Sequence, residues 1–260
     1  MDWLNALAGF GVGGLVGLTG VGGGSLMTPI LVLLFGTAPA VAVGTDLWFA
    51  AITKMAGGAM HHRRGGVDWQ VVRRLSLGSL PAAVATLLWL HFSGAGRVTN
   101  GWLMTSLGGV LLLTSFAMLF KQRMHAYAQS RRTETPQAFR RAQPALTVIA
   151  GAILGFLVTL TSVGAGALGT VMLVYLYPRR MTPARLVGTD ITHAVPLTVV
   201  AGTGHLLLGN VNLALLGMLL LGSLPGVLIG SHFSTKAPEG LLRTAIAAIL
   251  ALVGVKLILS

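Results

Sequence analysis

Asp46, Lys54 and Asp190 lie inside long apolar runs, and His193 follows Asp190 by three positions. Charge is costly in such places, so an ionisable side chain there marks a path for a proton, an ion or a substrate. Asp46 and Asp190 each sit about seven or eight residues inside a run, roughly 10 Å from its end on a helix. His193 shares a helix face with Asp190, and an imidazole beside a carboxylate can relay a proton. Lys54 lies two helical turns beyond Asp46, where an ammonium can pair with an aspartate or attract an anion. Simpler roles compete. Thr45-Asp46 and Thr189-Asp190 can cap helices that begin later, and Lys54 can snorkel to an interface.

Nothing else in the chain has the form of a catalytic set. It has six carboxylates in all and no cysteine, so disulfides and thiolate ligands are excluded. No GxSxG elbow or HExxH pair occurs, and the His and Asp spacings do not form a metal site. The expectation is a protein that is not an enzyme and uses neither cofactor nor metal.

The composition says what holds these residues. Of 260 residues only 9% are charged, 54% are hydrophobic and 36 are glycine. A soluble domain carries about a quarter charged residues, and a soluble fold this apolar would aggregate. The net charge of +12 does not point to nucleic acid, because the basic residues flank apolar runs and form no stripe along an element. Basic clusters beside apolar runs are what the positive-inside rule expects of a membrane protein. The start, Met1-Asp2-Trp3, lacks the basic region of a cleaved signal peptide.

Apolar runs fall at about 4–36, 39–60, 71–92 and 98–120, then at about 145–177, 182–206, 211–231 and 239–259, each long enough to cross a bilayer. The first run is interrupted by glycine at 20–24 and the fifth near 164–166. The halves repeat each other. Val43-Gly44-Thr45-Asp46 recurs as Val187-Gly188-Thr189-Asp190, and Leu77-Gly78-Ser79-Leu80-Pro81 as Leu221-Gly222-Ser223-Leu224-Pro225. Thr19 to Gly24 aligns with Thr161 to Gly166, His61 with His205, and Gly65 to Asp68 with Gly209 to Asn212, given a two-residue insertion near Arg179. The expected fold is an all-α polytopic membrane protein. Repeat one spans 1–120, a basic cytoplasmic loop spans 121–144, and repeat two spans 145–260.

Arginines set the topology. Arg63, Arg64, Arg73 and Arg74, the 121–144 loop, and Arg179, Arg180 and Arg185 all belong inside. All three conditions hold if each glycine-broken run is a hairpin followed by three transmembrane helices. The repeats are then inverted. Eight full spans in parallel repeats would leave three arginines outside. A cysteine placed at position 2 should react with an impermeant reagent from outside, and one at 180 from inside; the reverse at 180 would reject inversion.

A helix break in hydrocarbon exposes backbone groups that only protein or a wet cavity can satisfy. A broken helix whose N-terminus faces such a cavity binds an anion through free N–H groups and the helix dipole. The candidate donors are Gly22, Gly23, Gly24 and Ser25 in one half and Gly164 and Gly166 in the other, with Thr28, Thr45, Thr170 and Thr189 adding hydroxyls. The alternative is that the glycines only allow close helix packing. His61, His62 and His205 read as interfacial, and Trp3, Trp69, Trp89 and Trp102 as an aromatic belt, with Trp48 beside Asp46 the exception.

At these residues the chain resembles the TauE/SafE family of sulfite exporters. The carrying motifs are Gly20-Val21-Gly22-Gly23-Gly24-Ser25, Val43-Gly44-Thr45-Asp46 and His61-His62-Arg63-Arg64-Gly65-Gly66-Val67-Asp68-Trp69, with their second-half echoes. Many members carry serine where this chain has Asp46 and Asp190. The resemblance implies a multi-pass protein of a bacterial inner membrane that exports or exchanges sulfite, sulfonates or related organic anions. The expected partners are a small anion and the bilayer, with no nucleic acid; a homodimer is one permitted arrangement. In this reading the glycine breaks, threonines and Lys54 bind the anion, Asp46, Asp190 and His193 carry a coupling proton, and one repeat rocks against the other. An uncoupled anion channel and a cation or other small-solute permease are the alternatives.

Overall fold

The computed structural model describes residues 2–19, 24–62, 66–93, 100–131, 137–178, 180–233 and 239–259. Side chains are described there except at 2, 19, 24–25, 56–62, 100, 121–131, 137–138, 140, 183, 233, 239 and 241–243. The described residues form ten α-helices and no strand. They are α1 (Asp2–Thr19), α2 (Gly24–Leu33), α3 (Pro39–His62), α4 (Trp69–Phe92), α5 (Asn100–Arg131), α6 (Gln137–Thr161), α7 (Ala167–Leu176), α8 (Pro183–Leu207), α9 (Leu213–Phe233) and α10 (Glu239–Leu259).

Each glycine-broken run is two helices, the second only ten residues long. Such a helix spans about 15 Å, half a bilayer's hydrocarbon core. The second break is built by backbone that reverses hand: Ser162 has φ 57° and Gly164 φ 109°. The Thr161 hydroxyl accepts from the Val163 N–H at 3.2 Å and stabilises the turn. One boundary differs from the sequence reading. The segment 121–144 is mostly helix, because α5 continues to Arg131 and α6 begins at Gln137. Apolar runs mark where a helix meets hydrocarbon, whereas backbone hydrogen bonding continues past the interface. Among the described residues, 69–92, 101–120, 141–161 and 213–232 are each long and apolar enough to cross a membrane.

Packing crosses the repeats. α1 lies parallel to α9 with Gly9, Gly13 and Gly17 against Leu219, Ser223 and Val227, and α4 lies parallel to α6 with Leu75 and Ser79 against Gly151 and Gly155. These pairs exchange when the halves are exchanged. The equivalent helices that meet run antiparallel: Gly44 and Trp48 of α3 face His205 and Gly202 of α8, and Ser115 of α5 reaches Ala247 of α10. Antiparallel mates are the arrangement expected of an inverted repeat.

The core divides in the same crossed way. Leu31, Phe49 and Leu219 belong to one buried cluster, and Leu75, Leu154, Leu173 and Leu186 to another. Val43, Leu47, Val158 and Ala194 form a third cluster where α3, α6 and α8 meet. The most extensive seams therefore join helices of different repeats, α1 with α9 and α4 with α6, with α5 on α10 and α3 on α8 beside them. Rocking of one repeat against the other would have to open the α1–α9 and α4–α6 seams.

Glycine makes those seams. A Cβ on Gly222 would overlap the Ala6 carbonyl oxygen, a backbone atom that cannot move aside, whereas Gly217 on the same helix has open space. G222V is expected to lower stability by at least about 3 kcal/mol, the upper range for overpacking. G217A should leave it unchanged. Melting of the detergent-solubilised protein separates the two, and equal melting would remove the α1–α9 seam from this account.

Candidate functional site

The two half-length helices, α2 and α7, meet the buried charges. Asp46 lies well inside α3, so it does not cap its own helix. It caps α2 instead. Its carboxylate accepts from the Thr28 backbone N–H at 3.2 Å and from the Thr28 hydroxyl at 2.5 Å. The Ser162 hydroxyl, from the second break, faces the same carboxylate. Asp190 occupies the mirrored place, with Oδ1 against Gly169 in the first turn of α7, where a Cβ would collide with it. Each aspartate thus faces the positive end of a half-length helix.

Lys54 joins the halves. Its ammonium donates to the Ala165 carbonyl in the second break at 3.2 Å. It lies within Coulomb range of Asp46 and Asp190 and of His193. All four groups are buried, so Lys54 does not snorkel. The cluster therefore lies where α3 of the first half meets the second break.

The threonines divide. Thr28 touches Asp46, as above. Thr170 donates to the Gly166 carbonyl at 2.5 Å in its own helix. Thr45 and Thr189 face away from the charge cluster. Their hydroxyls accept from the backbone N–H of Asn212 at 3.1 Å and of Asp68 at 2.9 Å. Those two residues in turn cap α9 and α4 through Leu215 and Val71. Gly164 forms the reversed turn and Gly166 heads α7 without a side-chain cap. Gly24 begins α2. Gly22 and Gly23 lie outside the described residues, as does the side chain of Ser25.

The histidines break the symmetry. His193 bonds the Ser79 hydroxyl at 2.8 Å. The equivalent pair is Phe49 and Ser223, so the Ser223 hydroxyl is buried without a partner. His205 is not interfacial as its place near a helix end suggested. It is buried, with Nε2 2.9 Å from the Thr159 carbonyl in the last turn of α6. Because α6 stops at the break, carbonyls in its last turn need partners from outside the helix. The His61 and His62 side chains lie outside the described residues. Trp3, Trp69 and Trp89 are exposed, as an aromatic belt requires. Trp48 packs on Gly202 and buries its indole nitrogen without a partner.

Paired half-helices meeting at buried charges, inside a bundle of apolar helices, define a membrane transport protein. Comparison with known proteins agrees. The family profile described as "Sulfite exporter TauE/SafE" matches residues 5–257, and the chain belongs to that family. It is 39% identical to the probable membrane transporter protein YjnA of Bacillus subtilis (strain 168), over 97% of this chain and 98% of that protein. It is 26% identical to the probable membrane transporter protein YdhB of the same organism, over 96% and 97% of the two chains. A more distant relative, the probable membrane transporter protein MJ0441 of Methanocaldococcus jannaschii, is 27% identical over 78% of this chain and 72% of its own. No solved structure matches the chain significantly.

Proposed function

We propose that the chain is a proton-coupled secondary transporter in the cytoplasmic membrane that exports or exchanges small sulfur-containing or related organic anions, sulfite and sulfonates among them. The observation that carries this reading is the pair of half-helices facing one another across Lys54, each with an aspartate at its N-terminal end. Helix N-termini and an ammonium favour an anion. The carboxylates already occupy those N-termini, so a substrate anion enters where a carboxylate has taken up a proton or moved aside. Proton and anion therefore compete for one place, which is a direct physical route to coupling. Asp46 and Asp190 hold the proton in this scheme, His193 relays it, and the breaks at 20–24 and 162–166 with Lys54 hold the anion.

A cation permease is the second reading, favoured by two carboxylates against one ammonium in the buried cluster. Reconstituted protein tests both. Sulfite and simple sulfonates should raise its melting temperature and should cross proteoliposomes faster with an imposed pH gradient than without. Stabilisation by a monovalent cation alone, with no anion flux, would replace the anion reading by the cation one. Anion flux indifferent to the pH gradient would make the protein an uncoupled channel.

A further inference from the structure

The repeat lets one side of the molecule be compared with the other. On the side carrying the arginines, the Arg180 guanidinium grips Asp68 with two bonds, Nε to Oδ2 at 2.5 Å and Nη2 to Oδ1 at 2.8 Å. Asp68 is 5% exposed and Arg180 41%. Arg180 also lies over the Tyr177 ring, 5.9 Å from its centre. The Tyr177 hydroxyl meets Arg74 at 3.3 Å and Thr147 at 2.7 Å. These contacts tie α4, α6 and the turn after α7 together.

The repeat relation carries Thr147, Tyr177, Asp68 and Arg74 onto Asn5, Phe35, Asn212 and Met218. Those four help line a cavity of about 480 Å³ at the opposite end of the helix bundle. Arg180 itself has no mate, because it belongs to the two-residue insertion of the second half. The same architecture is thus locked on one face and hollow on the other. In an inverted repeat the two access states arise when the halves exchange their conformations. The packing seen outside is then the packing that the inside must adopt to open.

We propose that the Asp68–Arg180 pair, with Tyr177 and Arg74, is the cytoplasmic gate, and that the inserted arginine holds the resting protein closed inside and open outside. The proposal rests on the transporter reading. Asp68 also connects the gate to the substrate site. Its backbone N–H is held by Thr189, the neighbour of Asp190, so the residue that Arg180 grips is bonded directly to α8 beside the buried charge cluster. Asn212 performs the same capping on α9 without an arginine partner. The cap therefore does not need the ion pair, and the lock is an addition to it.

The same fact makes D68N a usable test, since asparagine caps a helix as aspartate does. R180Q removes the lock from the other partner and leaves Asp68 in place. The chain has no cysteine, so Val71→Cys on the inner face and its mate Leu215→Cys on the outer face report access to an impermeant maleimide in oriented vesicles. In the unaltered gate, position 215 should react and position 71 should not. With D68N or R180Q, reaction at 71 from the inside should rise at least about fivefold, the lower end of a conformational coupling, and reaction at 215 should fall. Unchanged labelling at 71 in both variants, or equal reaction at 71 and 215 before either change, overturns the gate. Labelling needs no substrate, so anion flux in the same vesicles tests the transporter reading separately.

Discussion

D46N/D190N is expected to abolish anion flux driven by a pH gradient while leaving a folded protein. Asparagine keeps an oxygen that can accept from Thr28 and nearly the volume of aspartate. What it loses is the exchangeable proton and the charge. An anion then enters with no proton to neutralise it beyond Lys54, in an interior where an unpaired charge costs several kcal/mol. Gradient-driven uptake into proteoliposomes should fall more than about a hundredfold, equivalent to roughly 2.7 kcal/mol. The single variants should differ. D46N weakens the charge-assisted bonds that hold α2 and should destabilise more, whereas D190N should affect coupling with less effect on melting. Flux in the double variant equal to that of the unaltered protein would remove the proton-carrying role from both residues.

These two aspartates were legible in the sequence because so few charges compete with them and because the repeat made them a pair. The runs of helices and the two breaks were legible for the same reason, since hydrophobic length and glycine clusters act locally. What the aspartates bind was not. A cap on its own helix is one of the two readings the spacing of Asp46 allows, and it bonds Thr28 of α2 instead, 18 residues earlier in the chain. That choice depends on how α2 folds back, which no local spacing encodes. His205 shows the same limit. Its position near the end of α8 suggested the interface, but the break in α6 leaves a carbonyl at Thr159 that draws it inside. The crossed packing of α1 on α9 and α4 on α6 was hidden for a different reason. Glycines at every fourth position announce that a helix packs closely, but not which helix it meets. The gate shows where a signal was present without being interpreted. The insertion near Arg179 reads as an interruption of the repeat, and Arg180 beside it pairs with Asp68, whose mate Asn212 has no such partner in the repeat.

K54M is expected to be the most damaging single change in the charge cluster. Lys54 is the buried cation that faces both aspartates and the second break at once. Removing one partner of a buried charged group costs about 3–5 kcal/mol, because the other is left uncompensated. The protein should melt well below the unaltered chain, and anion binding should be lost. Loss of flux alone would not distinguish a role in holding the fold from a role in holding the substrate. K54M/D190N separates them. With one carboxylate neutralised the stranded charge is reduced, so melting should recover most of the way. If Lys54 only balances the aspartates, anion flux returns to the level of D190N alone, and sulfite still raises the melting temperature. If Lys54 meets the anion, flux stays at background in a stable protein, and sulfite no longer raises the melting temperature. Recovered melting with absent flux is the expected result, because Ala165, the carbonyl that orients Lys54, lies in the turn that delivers the N-terminus of α7 to the same place.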